Sequence, residues 1–140
     1  GMLVELGPDA STTDGTFGLA TPTAAAANSF VFLARAVGSS LSNSLAGSLV
    51  APQTAVLTCT TDGSVAISRT RKNGASVRNV TGVAWTGTFS NRELFLFRRQ
   101  GTALPFNGNF YGLVIRGATT SDPDLLKMER WLSLKTGVQL

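Results

Sequence analysis

A chain of 140 residues, 43% apolar and 14% charged, has the length for one domain with a real core and too little charge for a disordered segment. Its net charge of +4 and pI near 10.0 are a modest basic excess, and with no Lys-rich stripe and no recognition helix they exclude an obvious nucleic-acid footprint. One cysteine, Cys59, excludes an internal disulfide, and no apolar run reaches membrane-spanning length or carries the basic flank of a secretory leader.

From the N-terminus onward, short apolar runs alternate with turn residues, and no helical period shows before residue 121. The pattern predicts strands over Met2–Leu6, Thr16–Ala20, Phe30–Val37, Thr54–Thr61, Ser64–Arg71, Ser76–Val80, Leu94–Arg98 and Phe110–Arg116. In the third of these, Phe30, Phe32, Ala34 and Ala36 share one face, because side chains alternate along a strand. Pro22–Asn28 reads as a loop, and Gly38–Leu49, rich in Ser, Gly and Asn, as a long connection or weak edge strand. Asp62-Gly63 and Asn73-Gly74 are two-residue hairpin signals, since both residues of each pair tolerate positive φ. They predict a three-stranded meander from Thr54 to Val80.

Counting from the Asn73-Gly74 turn sets Lys72 opposite Ala75, Arg71 opposite Ser76 and Arg69 opposite Arg78. Facing like charges are unfavourable. Water and side-chain splay are the plain way to relieve them, and an anionic partner is the sharper one.

The C-terminus changes character. Ser121 is a helix N-cap, with Asp124 three residues later to complete a capping box, and Pro123 falls in the first turn. Leu125, Met128 and Leu132 then recur on one face with Trp131 beside them, and Gly137 follows Lys135 as the stop signal. One amphipathic helix, near Ser121–Thr136, closes an otherwise all-β chain.

The groups that usually do chemistry are missing. There is no histidine, hence no imidazole base and no Ser-His-Asp triad, and a lone cysteine cannot make a thiolate zinc site. Glycosidases need paired carboxylates. The eight acids are Glu5, Asp9, Asp14, Asp62, Glu93, Asp122, Asp124 and Glu129, and the only pair spaced i, i+2 is Asp122/Asp124, which helix capping explains. Asp9 and Asp14, flanking Ser11, Thr12 and Thr13, offer oxygens to calcium, although an ordinary Asx-rich turn is the stronger account of them. Gly15-Thr16-Phe17-Gly18 has no helix behind it to make a phosphate cradle. The reading is therefore no enzyme, no cofactor and no metal.

The stretch from Leu94 to Ala118 contains Arg98-Arg99, Phe106-Asn107-Gly108 and Tyr111-Gly112-Leu113-Val114-Ile115, and Lys135-Thr136-Gly137 follows. In this order, with Asn73-Gly74, Val4-Glu5-Leu6 and Asp14-Gly15-Thr16-Phe17 upstream, the chain resembles the concanavalin A-like (laminin G-like) domains of phage and prophage structural proteins. The resemblance spans nearly the whole chain. It implies a single domain over residues 2–140, a jelly-roll sandwich of two antiparallel sheets with one short C-terminal helix. It also implies a non-catalytic structural or adhesion module of a virion, or one encoded by a prophage in the bacterial cytoplasm, that binds glycan or neighbouring subunits. A carbohydrate-binding module of a larger bacterial protein is the alternative.

Two departures stand out: one strand face ends in Arg69 and Arg71 instead of apolar residues, and the family's strands upstream of Val4-Glu5-Leu6 are lacking. The second implies an open edge and a homo-oligomer. Of the adjacent Arg98 and Arg99, only one can reach a given ligand and the other must pair internally. Trp85, in a Gly- and Thr-rich segment, is the aromatic nominated to stack on a sugar ring. With Arg69, Arg71, Arg78, Arg98, Asn107 and Asn109 it makes up the expected ligand-binding set. Neither nucleic acid nor a membrane is an expected partner.

Overall fold

Alternation in the third strand builds the core. In β3 (Ser29–Arg35), Phe30, Phe32 and Ala34 are buried while their sequence neighbours are only half covered, and Ala36 continues the buried row just past the strand. Burying a phenylalanine of this kind is worth about 1.5–3 kcal/mol. This is the face that the sequence pattern singles out. The fold around it is a computed structural model, which describes residues 1–21, 29–38, 42–49, 52–65, 67–81, 87–101 and 103–140. The expected Pro22–Asn28 loop lies outside the described residues.

Two antiparallel sheets result. The first contains β1 (Met2–Leu6), β2 (Thr16–Ala20), β3, β4 (Ser42–Ser48) and β8 (Leu94–Leu96), in the order β4-β3-β2-β1-β8. The second is the meander of β5 (Leu57–Asp62), β6 (Ile67–Lys72) and β7 (Ala75–Thr81). β4 lies against both β6 and β7, which joins the sheets. The Ser- and Asn-rich stretch read as a connection or weak edge strand is thus an edge strand, held by its backbone ladder to β3.

Asn73 and Gly74, at φ 52° and 77°, make the two-residue turn that the sequence predicts, and Lys72 faces Ala75. The Asp62-Gly63 hairpin also forms, but not as a two-residue turn. Asp62 pairs with Ile67 across a four-residue connection. The cause is local: the Asp62 carboxylate accepts from the Ser64 N–H and O–H, at 3.0 and 2.7 Å, and this Asx turn competes with the tight hairpin.

A second correction concerns register. Arg71 faces Ser76 as counted, but the ladder then shifts, so Thr70 faces Arg78 and Arg69 faces Asn79. The irregularity leaves Val77 as an extra residue on β7, a bulge that moves every later pair by one. The facing Arg69–Arg78 pair does not exist.

The third correction is the largest. Residues 110–116 belong to no strand or sheet, and of the expected Leu94–Arg98 only Leu94–Leu96 is strand. Phe97 has φ 64°, which turns the chain out of the ladder directly after β8.

The helix α1 (Asp122–Thr136) is as expected. The Ser121 hydroxyl caps it, accepting from the Asp124 N–H, and Gly137 ends it at φ 71° with its N–H on the Ser133 carbonyl. Leu125 and Glu129, one turn apart, are its buried residues, and Leu132 meets Gly112 of the segment 110–116. Trp131, which the sequence places beside the apolar helix face, is 48% exposed with the Lys135 ammonium 4.7 Å above its ring.

Candidate binding site

The two arginines on the outer face of β6 end on the helix. Arg71 forms a two-pronged pair with Glu129, Nε to Oε1 at 2.8 Å and Nη2 to Oε2 at 3.0 Å, and it also donates to the Gly74 carbonyl. Arg69 reaches Asp122 at 3.8 Å in the open. The Glu129 carboxylate is buried, and its hydrogen bond raises the Arg71 guanidinium above its ordinary value, against a smaller desolvation effect. The anion that relieves this basic face therefore comes from the chain itself.

Arg98 and Arg99 divide as adjacent residues must. Arg99 turns inward and clasps the fully buried Glu5, Nε to Oε2 at 3.0 Å and Nη2 to Oε1 at 3.1 Å, and its Nη1 lies 3.0 Å from Asp9. Glu5 also accepts from the Ala10 N–H at 2.8 Å. One guanidinium thus ties β1, the loop before β2 and the turn after β8 together. Arg98 stays exposed, as does Arg78 on β7, and neither has an ion-pair partner among the described residues. Trp85 lies outside the described residues.

Asp9 and Asp14 are not poised for a cation. Asp9 accepts from Ser11 and pairs with Arg99, while Asp14 pairs with Arg35. Among the described residues no three His, Cys, Asp or Glu come together as metal ligands. Burial pushes the Cys59 thiol up to about 12, far from a reactive thiolate.

Asn107 and Asn109 do come together, at a cleft of about 560 Å³. Its floor is apolar, with Leu3 and Val4 of β1, Leu19 of β2 and Val56 before β5. One wall is the run from Phe106 to Leu113, and Leu132 and Thr136 close the helix side. Exposed Gln53, Thr54, Asn107, Asn109 and Tyr111 give the rim amides and hydroxyls, and among the described residues no Asp, Glu, Lys or Arg lines the cleft. A cavity of this size with an apolar floor and a few rim hydrogen-bonding groups suits a small uncharged ligand.

Sequence reasoning missed Tyr111, Gln53 and Thr54. Tyr111 reads as part of a core strand, and residues 53 and 54 carry no motif. Only the fold brings them within reach of Asn107.

No family of known proteins matches the chain, and no match is found among curated proteins or solved structures.

Three carboxyls have pKa values below the ordinary aspartate value. For Asp9, burial pushes upward, but the Ser11 O–H and N–H and the Arg99 charge outweigh it. The Ser64 hydroxyl and then its N–H lower Asp62, and the Ser121 hydroxyl and Lys127 lower Asp124. A folded value below the unfolded one contributes stability above the unfolded pKa, about 3.9, and that contribution is lost as pH falls through the folded value. Urea titrations are expected to give a midpoint that is flat down to about pH 5 and falls below about pH 4, with a shallower fall in Asp9→Asn. An acid limb unchanged by Asp9→Asn would show that Asp9 has no part in it.

Proposed function

We propose that this domain is a non-catalytic binding module of a phage or prophage structural protein, and that it holds a neutral glycan in the cleft between Asn107, Asn109 and Tyr111. The observation that carries this reading is the cleft's chemistry: amides and a phenol at the rim, apolar residues below, and among the described residues no charged side chain lining it in a chain of net charge +4. Amide side chains donate to and accept from sugar hydroxyls, and an exposed tyrosine ring offers a face for a sugar's C–H groups. One cation reaches the rim, the Lys72 ammonium at 3.0 Å from the Gln53 amide oxygen, and none lies among the described lining residues to pair with an acidic glycan. The resemblance to concanavalin A-like virion domains supports the setting.

An array of bacterial polysaccharides and oligosaccharides tests it. Binding is expected to neutral sugars, and Asn107→Ala with Asn109→Ala should weaken it by about tenfold or more, the effect of losing one or two net hydrogen bonds. Binding restricted to acidic glycans, or none at all, would sink the reading.

A further inference from the structure

Residues 107–117 find no backbone hydrogen-bond partner among the described residues, and residues 110–116 belong to no sheet. Phe110, Tyr111, Leu113, Val114 and Ile115 are each between 37% and 47% exposed. Nearby Leu94, Leu96 and Phe97, at the end of the five-stranded sheet, are exposed to the same degree. A stretch with free N–H and C=O groups and apolar side chains on both faces is built to be paired.

We infer that residues 110–116 pair antiparallel with the same segment of a second copy of this chain, and so form a two-fold dimer. The segment is complementary to itself. Centred on Leu113, the pairing sets Phe110 opposite Arg116, Tyr111 opposite Ile115 and Gly112 opposite Val114. A guanidinium then lies against an aromatic face, and an aromatic ring packs on a β-branched residue. The two Arg116 side chains end up roughly 20 Å apart at about 3.4 Å per residue, beyond a Debye length of about 8–10 Å, so like charges do not oppose the contact. The eight exposed apolar side chains offer on the order of 600 Å² per copy, near the lower end of specific interfaces. A two-fold contact needs the same patch from each partner, and this chain supplies it.

Val114 and Ile115 do not line the cleft, whereas Phe110, Tyr111 and Leu113 do, so the dimer covers part of the ligand's wall and substitutions at 114 and 115 leave that wall itself intact. Multi-angle light scattering across a dilution series should show a species of twice 14.6 kDa, about 29 kDa, that dissociates on dilution. Val114→Pro removes an N–H from the pairing edge, and Ile115→Lys places cations in the interface. Each should weaken dimerisation by at least about tenfold while the far-ultraviolet spectrum stays unchanged and glycan binding, where it occurs, is no weaker than in the parent. Amide exchange over residues 110–116 should slow as the parent is concentrated, and should not do so in Val114→Pro. A parent that stays monomeric at every concentration overturns the inference. So does a dimer that survives both substitutions, or amide protection over 110–116 that is the same at low and high concentration.

Discussion

Arg99→Ala is expected to be the most damaging single substitution at a charged residue. It leaves the Glu5 carboxylate, which has no exposed surface, with only the Ala10 N–H for company. Breaking a buried ion pair from one side costs about 3–5 kcal/mol, because the remaining charge keeps its desolvation penalty and loses its partner. The same guanidinium also releases Asp9, so the loop before β2 and the turn after β8 lose their common tie. Urea denaturation should show the loss directly, with a melting temperature lower by roughly 10 °C. The double variant Arg99→Ala/Glu5→Gln distinguishes a charge effect from a packing effect. Glutamine still accepts from the Ala10 N–H but carries no charge, so more than half of the lost stability should return. No recovery would show that Arg99 acts through packing of its stem.

Arg71→Ala should follow closely. Its partner Glu129 is 1% exposed on the docked face of α1, and the lost group also donates to the Gly74 carbonyl in the β6–β7 turn. A loss of about 3 kcal/mol is expected, largely relieved by Arg71→Ala/Glu129→Leu, which restores an apolar face between helix and sheet. Arg78→Ala, on the exposed edge of the same sheet, serves as control and should change stability by less than about 0.5 kcal/mol. If Arg71→Ala were as mild as Arg78→Ala, the helix would be held by Leu125 and Leu132 alone. The comparison also separates two kinds of arginine that look alike in sequence: those that hold the fold and those left free for a partner.

Much of the architecture was legible because it depends on neighbours in the chain. The inward row of β3 follows from side-chain alternation, and the Asn73-Gly74 turn from two residues that accept positive φ. The ends of α1 follow from Ser121 and Gly137. Local rules failed where a nearby polar group offered a competing hydrogen bond, as Asp62 does to Ser64, and where one extra residue entered a ladder, as Val77 does in β7. A bulge has no reliable sequence mark, yet it shifts every pair beyond it, and it alone removed the expected Arg69–Arg78 contact.

The cleft was legible only in part. Asn107 and Asn109 were singled out at the Phe-Asn-Gly corner, and the structure places both at the rim. Their companions at residues 53 and 54 stand half a chain away, and nothing in local pattern links them.

By itself, the sequence determined the mostly β character, the closing helix, the inward face of β3 and the lack of any imidazole. Each of these rests on residue identity or on spacings of a few residues. Only the tertiary structure decided that Glu5 and Arg99 meet across 94 residues and Arg71 and Glu129 across 58. The same holds for the uncharged lining of the cleft and the unpaired backbone of residues 110–116. A buried charge selects its partner by the desolvation it would otherwise suffer, and which partner lies within reach is set by how the sheets and the helix pack.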